Sequence, residues 1–485
     1  KELKWDLSKW KKQEIDEFPS HKLSCDKSLL IIDDECDNAS IDISKRKIAL
    51  DQMEPDQREQ FEQTDPSKTN QLIRLILTSF KKKAYVGYTA TPLANIMIDY
   101  TSAKENEELD LFPRDFVKLL PRYDSHIGPE DVFGVAEKSI DPDDDVVTLS
   151  EDISPADKPQ VKWVYDYRDD YDKFKNEEDR DREYRKESKE KILPNGWMPL
   201  YHNKLQTPYF KHENTLTPSL KEAIKVFLIN IVLRELRHNK KDHNSMLIHV
   251  SRFKDVQNKI FSQVSEHIDL FNKILTVEID KNKKENLKKD FEKIWEKEVK
   301  KNIDFTKYSE DKKIQFSNIW SKLIQLLTDK NNPIDILMIN SISDDSLDYE
   351  RKDKEKKAWN IIVVGGAAVA RGITLEGLNV SYFTRLAKLP TSDTLIQMGR
   401  WFGYRIGYED LWRVYCPKQL HILFRQFSYV MERARASFEQ MAKDRKSPVQ
   451  FAFEIPCFPG WNLIANNKGK DIGVVAQEIQ EVLPE

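Results

Sequence analysis

The run "DDECD", residues 33–37, places four acids and a thiol directly after the aliphatic stretch "LLII". A short apolar run of this kind reads as a parallel strand covered on both faces, and such strands present ligands at their carboxyl ends. Adjacent Asp and Glu at a strand end suit metal-assisted phosphoryl transfer. One carboxylate would hold Mg²⁺, usually through water, and its neighbour would orient and deprotonate the attacking water. Acids at a strand end also serve simply to carry the chain into solvent, so the run needs partners elsewhere.

Three further stretches offer them. In "YTATP", residues 88–92, the hydroxyls of Thr89 and Thr91 can exchange hydrogen-bond partners easily, which suits a relay from the Asp37 side of a nucleotide site. "ARGITLEG", residues 370–377, sets Arg371 and Thr374 among glycines and fits a nucleic-acid contact, a coupling loop or a plain Gly-rich turn. "QMGRWFGYR", residues 397–405, carries Arg400 and Arg405; an arginine that reaches a γ-phosphate speeds transfer by about 10³–10⁵. Arg252, Lys254, Arg385 and Lys388 stand near predicted strand ends, as candidate grips on a phosphate backbone or as solvated surface cations.

The elements that must position these residues alternate between strand and helix. Residues 69–82 have helical apolar spacing and lead into a short strand from Ala84. "TPSLKEAIKVFLINIVLRELRHNK" predicts a long helix capped near Thr217 or Ser219, and "SMLIHVS" a strand after it. "IDILMIN", "NIIVVGG" and "LNVSYFTR" predict three more strands. "SDTLIQM" starts a helix with Ser392 or Asp393 near its cap, and "QLHILFRQFSYVMERARASFEQMAK" is a last helix. This alternation predicts an α/β protein with parallel sheets.

Composition sets the domain frame. The 485 residues suffice for about three domain-sized units or two large lobes. The expected divisions are a first lobe over 1–134, a charged linker over 135–195 and a second lobe over 196–440 with a helical insertion at about 264–330. An extension over 441–485 completes the chain. Charged residues make up 33%, with 78 basic against 82 acidic side chains, so a nucleic-acid surface would be a local groove within a near-neutral molecule. Cys25, Cys36, Cys416 and Cys457 lack the spacing of a zinc site or a disulfide framework and fit a reducing cytoplasm. No apolar stretch approaches the roughly 20 residues that span a bilayer, so no membrane partner is expected.

In order, "LLIIDDECDNASI", "YVGYTATPLANI", "LFPRDFVKLL", "NSMLIHVSRFKDVQ", "VVGGAAVARGITLEGL" and "LIQMGRWFGYRIGYEDL" resemble superfamily two helicases and translocases. The closer resemblance is to the bacterial Z-one domain family, often labelled an endonuclease. It implies two RecA-like parallel-sheet lobes of P-loop NTPase type, ATP and Mg²⁺ as ligands, and DNA as partner with RNA not excluded. Restriction or phage-defence subunits are further implied partners. It implies that Asp34 and Glu35 bind Mg²⁺ and activate water, and that Thr89 and Thr91 form the coupling loop. Gly372 and Thr374 would lie at the cleft, with Gln397, Arg400 and Arg405 facing ATP. The two arginines are five apart where the general motif spaces them by three, which leaves the choice of finger open.

The chain contains no GxxxxGK[ST], and "NKGKDIG" at 467–473 lacks its leading glycine and its Ser/Thr. The sequence opens without Met shortly before the acidic run, so the phosphate-cradling loop is expected upstream, and these residues alone are expected to hydrolyse ATP poorly. Nuclease chemistry would need a second carboxylate cluster with a lysine or histidine. Only fragments such as "YERKDKEK" answer to that, which ranks a nuclease second. A non-catalytic binding module is third.

Overall fold

The computed structural model describes residues 25–38, 40, 66–98, 111–135, 160–167, 197, 202, 215–238, 242–276, 281–340, 347–355, 357–366, 369, 373–387 and 390–453. Arg371, Gly372, Lys388, most of the expected linker and the "NKGKDIG" segment lie outside these residues. The described chain forms two compact units, one from residues before 118 together with 441–452, the other mainly from 118–440.

In the first unit, strand β1 (Cys25–Asp34) pairs in parallel with β2 (Phe80–Tyr88), in register from Ser28 opposite Lys82 to Asp34 opposite Tyr88. Helix α1 (Pro66–Thr78) precedes β2, and the short helix α2 (Leu93–Ile96) follows it. The helix ends earlier and the strand begins earlier than the sequence suggests, because Lys81, Lys82 and Lys83 are extended and exposed along β2. The expectation of a strand buried on both faces is not met among the described residues. Leu30 and Ile32 are 60% and 64% exposed, whereas Leu29 and Ile31, on the opposite face, are half-buried.

The second unit holds a six-stranded, all-parallel sheet. After the two-residue strand β3 (His126–Ile127) and helix α3 (Pro129–Phe133), its strands are β4 (Val161–Trp163), β5 (Asn244–His249), β6 (Asp335–Ile339), β7 (Asn360–Gly365) and β8 (Leu378–Phe383). β9 (Gly403–Tyr404) pairs antiparallel with β3 outside this sheet, and β10 (Arg413–Cys416) completes it. The spatial order is β4, β10, β8, β5, β7, β6. β5, β7, β8 and β10 are buried along their whole length, as continuous aliphatic strands covered on both faces should be.

Helices cover this sheet. α4 (Pro218–His238) buries Phe227, Leu228 and Ile231, and its first turn is capped by Thr217, whose hydroxyl accepts from the Leu220 amide at 3.3 Å. α5 (Lys254–Thr276) leaves β5 and packs on β6 and β7. α6 (Lys281–Ile294) passes into a π-helical turn at Trp295–Val299, and α7 (Phe316–Thr328) packs on α4 and α5. The expected insertion at 264–330 is therefore continuous with the core layer: it begins inside the helix that leaves β5 and returns onto the same helices. α8 (Tyr349–Lys354), α9 (Ser392–Met398) and α10 (Lys418–Lys443) complete the unit, with the α9 cap at Thr391, one residue before the expected Ser392.

Two features lock the periphery to the sheet. Phe133 of α3 stacks on Phe424 at 4.5 Å between ring centroids and meets Trp401, Phe402 and His421 edge-on, so residues 118–135 belong with the second unit. Arg237 of α4 binds Asp311 at 2.6 Å and Asp410 at 2.9 Å, with all three side chains nearly fully buried. Its guanidinium also lies 3.6 Å from the centre of the Tyr308 ring. Burial works against that charge, but the two carboxylates outweigh it and raise the Arg237 pKa.

The turn into β8 depends on Gly377. Its φ is +62°, and a Cβ there would lie 1.9 Å from the His243 carbonyl oxygen. Gly377→Ala is therefore expected to destabilise the second unit by about 1–3 kcal/mol, since both the backbone conformation and the close approach oppose a side chain. Thermal melting checks this, and an unchanged midpoint would contradict the packing of this turn.

Candidate functional site

The acidic run resolves into two pairs. Glu35 adopts a left-handed backbone, φ +58°, a conformation that costs a non-glycine residue on the order of 1 kcal/mol. The turn that results is pinned on both sides. The Cys36 amide donates to the Tyr88 carbonyl at 3.1 Å, and the Asn38 amide to the Glu35 carbonyl at 2.9 Å. Asn95 of α2 donates to the Cys36 carbonyl at 3.2 Å. Gly87 leaves the room this requires, because a Cβ there would sit 2.6 Å from the Cys36 sulfur.

Asp33 and Asp37 are held by the protein. Asp33 accepts from the Tyr85 hydroxyl at 2.5 Å and from Ser40, whose own carbonyl accepts from Asn70 of α1 at 2.6 Å. Asp37 is fully buried and accepts from Thr89 through one carboxylate oxygen and from Thr91 through the other, both at 2.9 Å. The Thr89 hydroxyl in turn accepts from the Thr91 amide at 2.9 Å. The TATP loop and the acidic run are thus one hydrogen-bonded unit.

Asp34 and Glu35 are exposed. Apart from the Glu35 amide, which donates to Asp34 at 3.1 Å, no described group occupies them. Two hard oxygen donors at a strand end fit Mg²⁺, which keeps several waters and takes one or two carboxylates along with substrate phosphates. Among the described residues no group of three or more His, Cys, Asp or Glu could hold a metal by itself, so an ion here would draw most of its shell from water and phosphate.

Burial, reinforced by Asp33 and Asp37, pushes the Cys36 thiol up to about 12. At pH 8 only about one thiol in 10⁴ would be ionised. Cys36 is expected to resist iodoacetamide in the native protein and to react once it is unfolded. Mass spectrometry would show this, and equal rates in the two states would contradict it.

In the second unit the two arginines differ in their surroundings. Arg405 is 7% exposed and donates to the carbonyls of Tyr404 at 2.7 Å, Arg400 at 3.0 Å and Phe402 at 3.4 Å, so its donors shape the loop that carries Arg400. Burial lowers its pKa. Arg400 is half-buried and donates to the Ile373 carbonyl. That bond joins the GRWFGYR loop to the ARGITLEG segment, where the neighbouring Thr374 is exposed. Gln397 lies half-buried on α9. Trp401 and Phe402 anchor the loop on Phe133 and Phe424.

With these loops and the strands beneath them in one unit, the decisive comparison concerns that unit. Residues 219–459 match the Z1 domain family. The match takes in β5 through α10, and with them Arg252, Lys254, Thr374, Arg385, Gln397, Arg400 and Arg405; the acidic run and the TATP loop precede it. No curated protein matches the chain, and no solved structure does.

At the carboxyl ends of the six-stranded sheet, Arg252 and Lys254 follow β5 and Arg385 follows β8. Arg252 is exposed and Lys254 half-buried at the start of α5. Two participants escape a reading of the sequence: Tyr85, which fixes Asp33, and His249, fully buried at the end of β5 and 3.2 Å from Arg385. Each looks like an ordinary core residue in the sequence, and only the strand register brings it to its partner. Among the described residues no helix is long and apolar enough to cross a membrane.

Proposed function

We propose that the protein is a nucleic-acid-dependent ATP hydrolase of helicase-like or translocase type, with DNA the first candidate substrate and RNA also admissible. The observation that carries this reading is the hydrogen-bonded frame of Asp37, Thr89 and Thr91 behind the two exposed carboxylates Asp34 and Glu35. The Z1 domain points the same way, toward nucleic-acid-related work and a setting in bacterial restriction or phage defence.

In this reading Asp34 and Glu35 would hold Mg²⁺, which when bound neutralises charge on phosphate oxygens. Glu35 accepts the proton of the attacking water. Asp37 and the two threonines keep the turn rigid and change partners when the occupancy of the site changes. Within the second unit, Arg405 holds the loop that carries Arg400 in shape. RecA-like folding of both units belongs to the same proposal.

The test is DNA-stimulated ATP release of phosphate by the full-length protein, compared with Glu35→Gln. Stimulated hydrolysis that disappears in the variant supports the reading. Absence of hydrolysis in the wild-type protein would sink it, and plasmid cleavage by Glu35→Gln with Mg²⁺ and no ATP would favour a nuclease instead.

A further inference from the structure

The arginines of the Z1 unit are balanced in different ways. Arg237 faces two carboxylates, and Arg405 and Arg413, both buried, are taken up by backbone carbonyls. Among the described residues Arg385 has neither kind of partner. Its Nη1 donates to the His249 Nε2 at 3.2 Å and lies 3.5 Å from the Met398 sulfur, and no carboxylate pairs with it among the described residues.

A second cation stands close by. β5 and β8 are adjacent and parallel with His249 opposite Phe383, so the two chain segments leave the sheet side by side. Arg385 lies two residues beyond the end of β8 and Arg252 three beyond β5, with the Arg252 guanidinium 4.9 Å from the centre of the Phe253 ring. The 23-residue helix α5 begins at Lys254, and its amino end adds positive potential at the same sheet edge.

His249 is fully buried, and burial followed by the nearby Arg385 charge holds its pKa well below the ordinary histidine value. It is therefore neutral, with Nε2 as acceptor and the proton on Nδ1. A neutral imidazole steers the guanidinium without cancelling its charge. Burial, and then the Arg252 charge, pushes Arg385 itself down to about 10.

We infer that Arg385 and Arg252 form a binding site for a phosphoryl group at the carboxyl edge of β5 and β8, with His249 as the positioning residue for Arg385. Two neighbouring cations without a carboxylate repel one another until an anion joins them. The Nε and Nη2 hydrogens of Arg385 have no protein acceptor among the described residues, which leaves a planar fork suited to two phosphate oxygens. The phosphoryl group belongs either to a nucleic-acid strand or to a nucleotide. This deepens the nucleic-acid reading and rests on it for the ligand class, but not on hydrolysis.

The experiment uses the full-length protein and two probes, a fluorescein-labelled oligothymidylate and a fluorescent ATP analogue, each titrated by anisotropy over a range of salt. Arg385→Gln is expected to weaken one probe about tenfold and to lower the magnitude of its salt slope by about 1. Loss on the oligonucleotide assigns a strand phosphate, and loss on the ATP analogue assigns a nucleotide phosphate. Unchanged binding of both probes by a folded Arg385→Gln overturns the site. Should that variant fail to fold, Arg252→Gln, at an exposed position, decides by the same two outcomes. Anisotropy reads binding and needs no hydrolysis, so failure of hydrolysis and failure of this site are separable.

Discussion

Glu35→Gln is expected to lower DNA-stimulated ATP hydrolysis by about 10²–10⁴-fold, the range associated with loss of a positioned general base. The substitution keeps the size of the side chain and removes its charge, and with it the ability to take a proton and to help hold Mg²⁺. Glu35 is exposed and makes no side-chain hydrogen bond among the described residues that the amide would break, so the thermal midpoint should stay within about 1–2 °C of wild type. A large activity loss with unchanged stability would assign the effect to chemistry. A drop of less than about threefold would remove Glu35 from the reaction, and a matching fall in stability would mean that the left-handed turn had been disturbed instead.

Arg237→Ala carries the largest expected effect on stability, a loss of about 3–5 kcal/mol. Removing the guanidinium leaves Asp311 and Asp410 buried and facing each other without a cation. It also removes the cation stacked on Tyr308 and a bond at 3.0 Å to the Gly407 carbonyl. The loosened segments should be those around residues 304–311 and 407–410, because Asp410 also accepts the Asp304 amide at 3.0 Å. Urea denaturation gives the magnitude and amide exchange gives the location. A loss under about 1 kcal/mol would show that water replaces the pair.

Much of the second unit was legible in the sequence because its central strands are short aliphatic runs and its helices have clear periodicity. "SMLIHVS", "NIIVVGG" and "LNVSYFTR" all became buried strands, and the last helix ends at Lys443 as its spacing suggests. The three-residue β4 and the two-residue β3 and β9 were not legible. Nothing local marks them; β4 exists because β10 offers an edge, and the Trp163 ring nitrogen, donating to His421 at 2.9 Å, holds it there.

The candidate site was legible in residue type but not in direction. Four acids in five positions conceal which of them face inward, and the left-handed turn at Glu35 makes that choice, sending Asp37 to the threonines and leaving Asp34 and Glu35 outside. The same holds for "GRWFGYR", where two arginines look equivalent until the structure gives Arg405 the carbonyls of its own loop and Arg400 the Ile373 carbonyl. Arg371, Gly372 and Lys388, also expected at the site, lie outside the described residues.

The order of strands in the six-stranded sheet also constrains how the protein is made. β4 pairs through Val161 opposite Val414, so its partner is synthesised 414 − 161 = 253 residues later. At about 5–20 residues per second, β4 emerges from the ribosome some 10–50 s before the edge it needs exists. During that interval the aromatic side chain of Trp163 and the apolar side of the strand have no native sheet to join. Pausing of translation or chaperone engagement between these two strands would act on a sheet that is still open along its β8 edge.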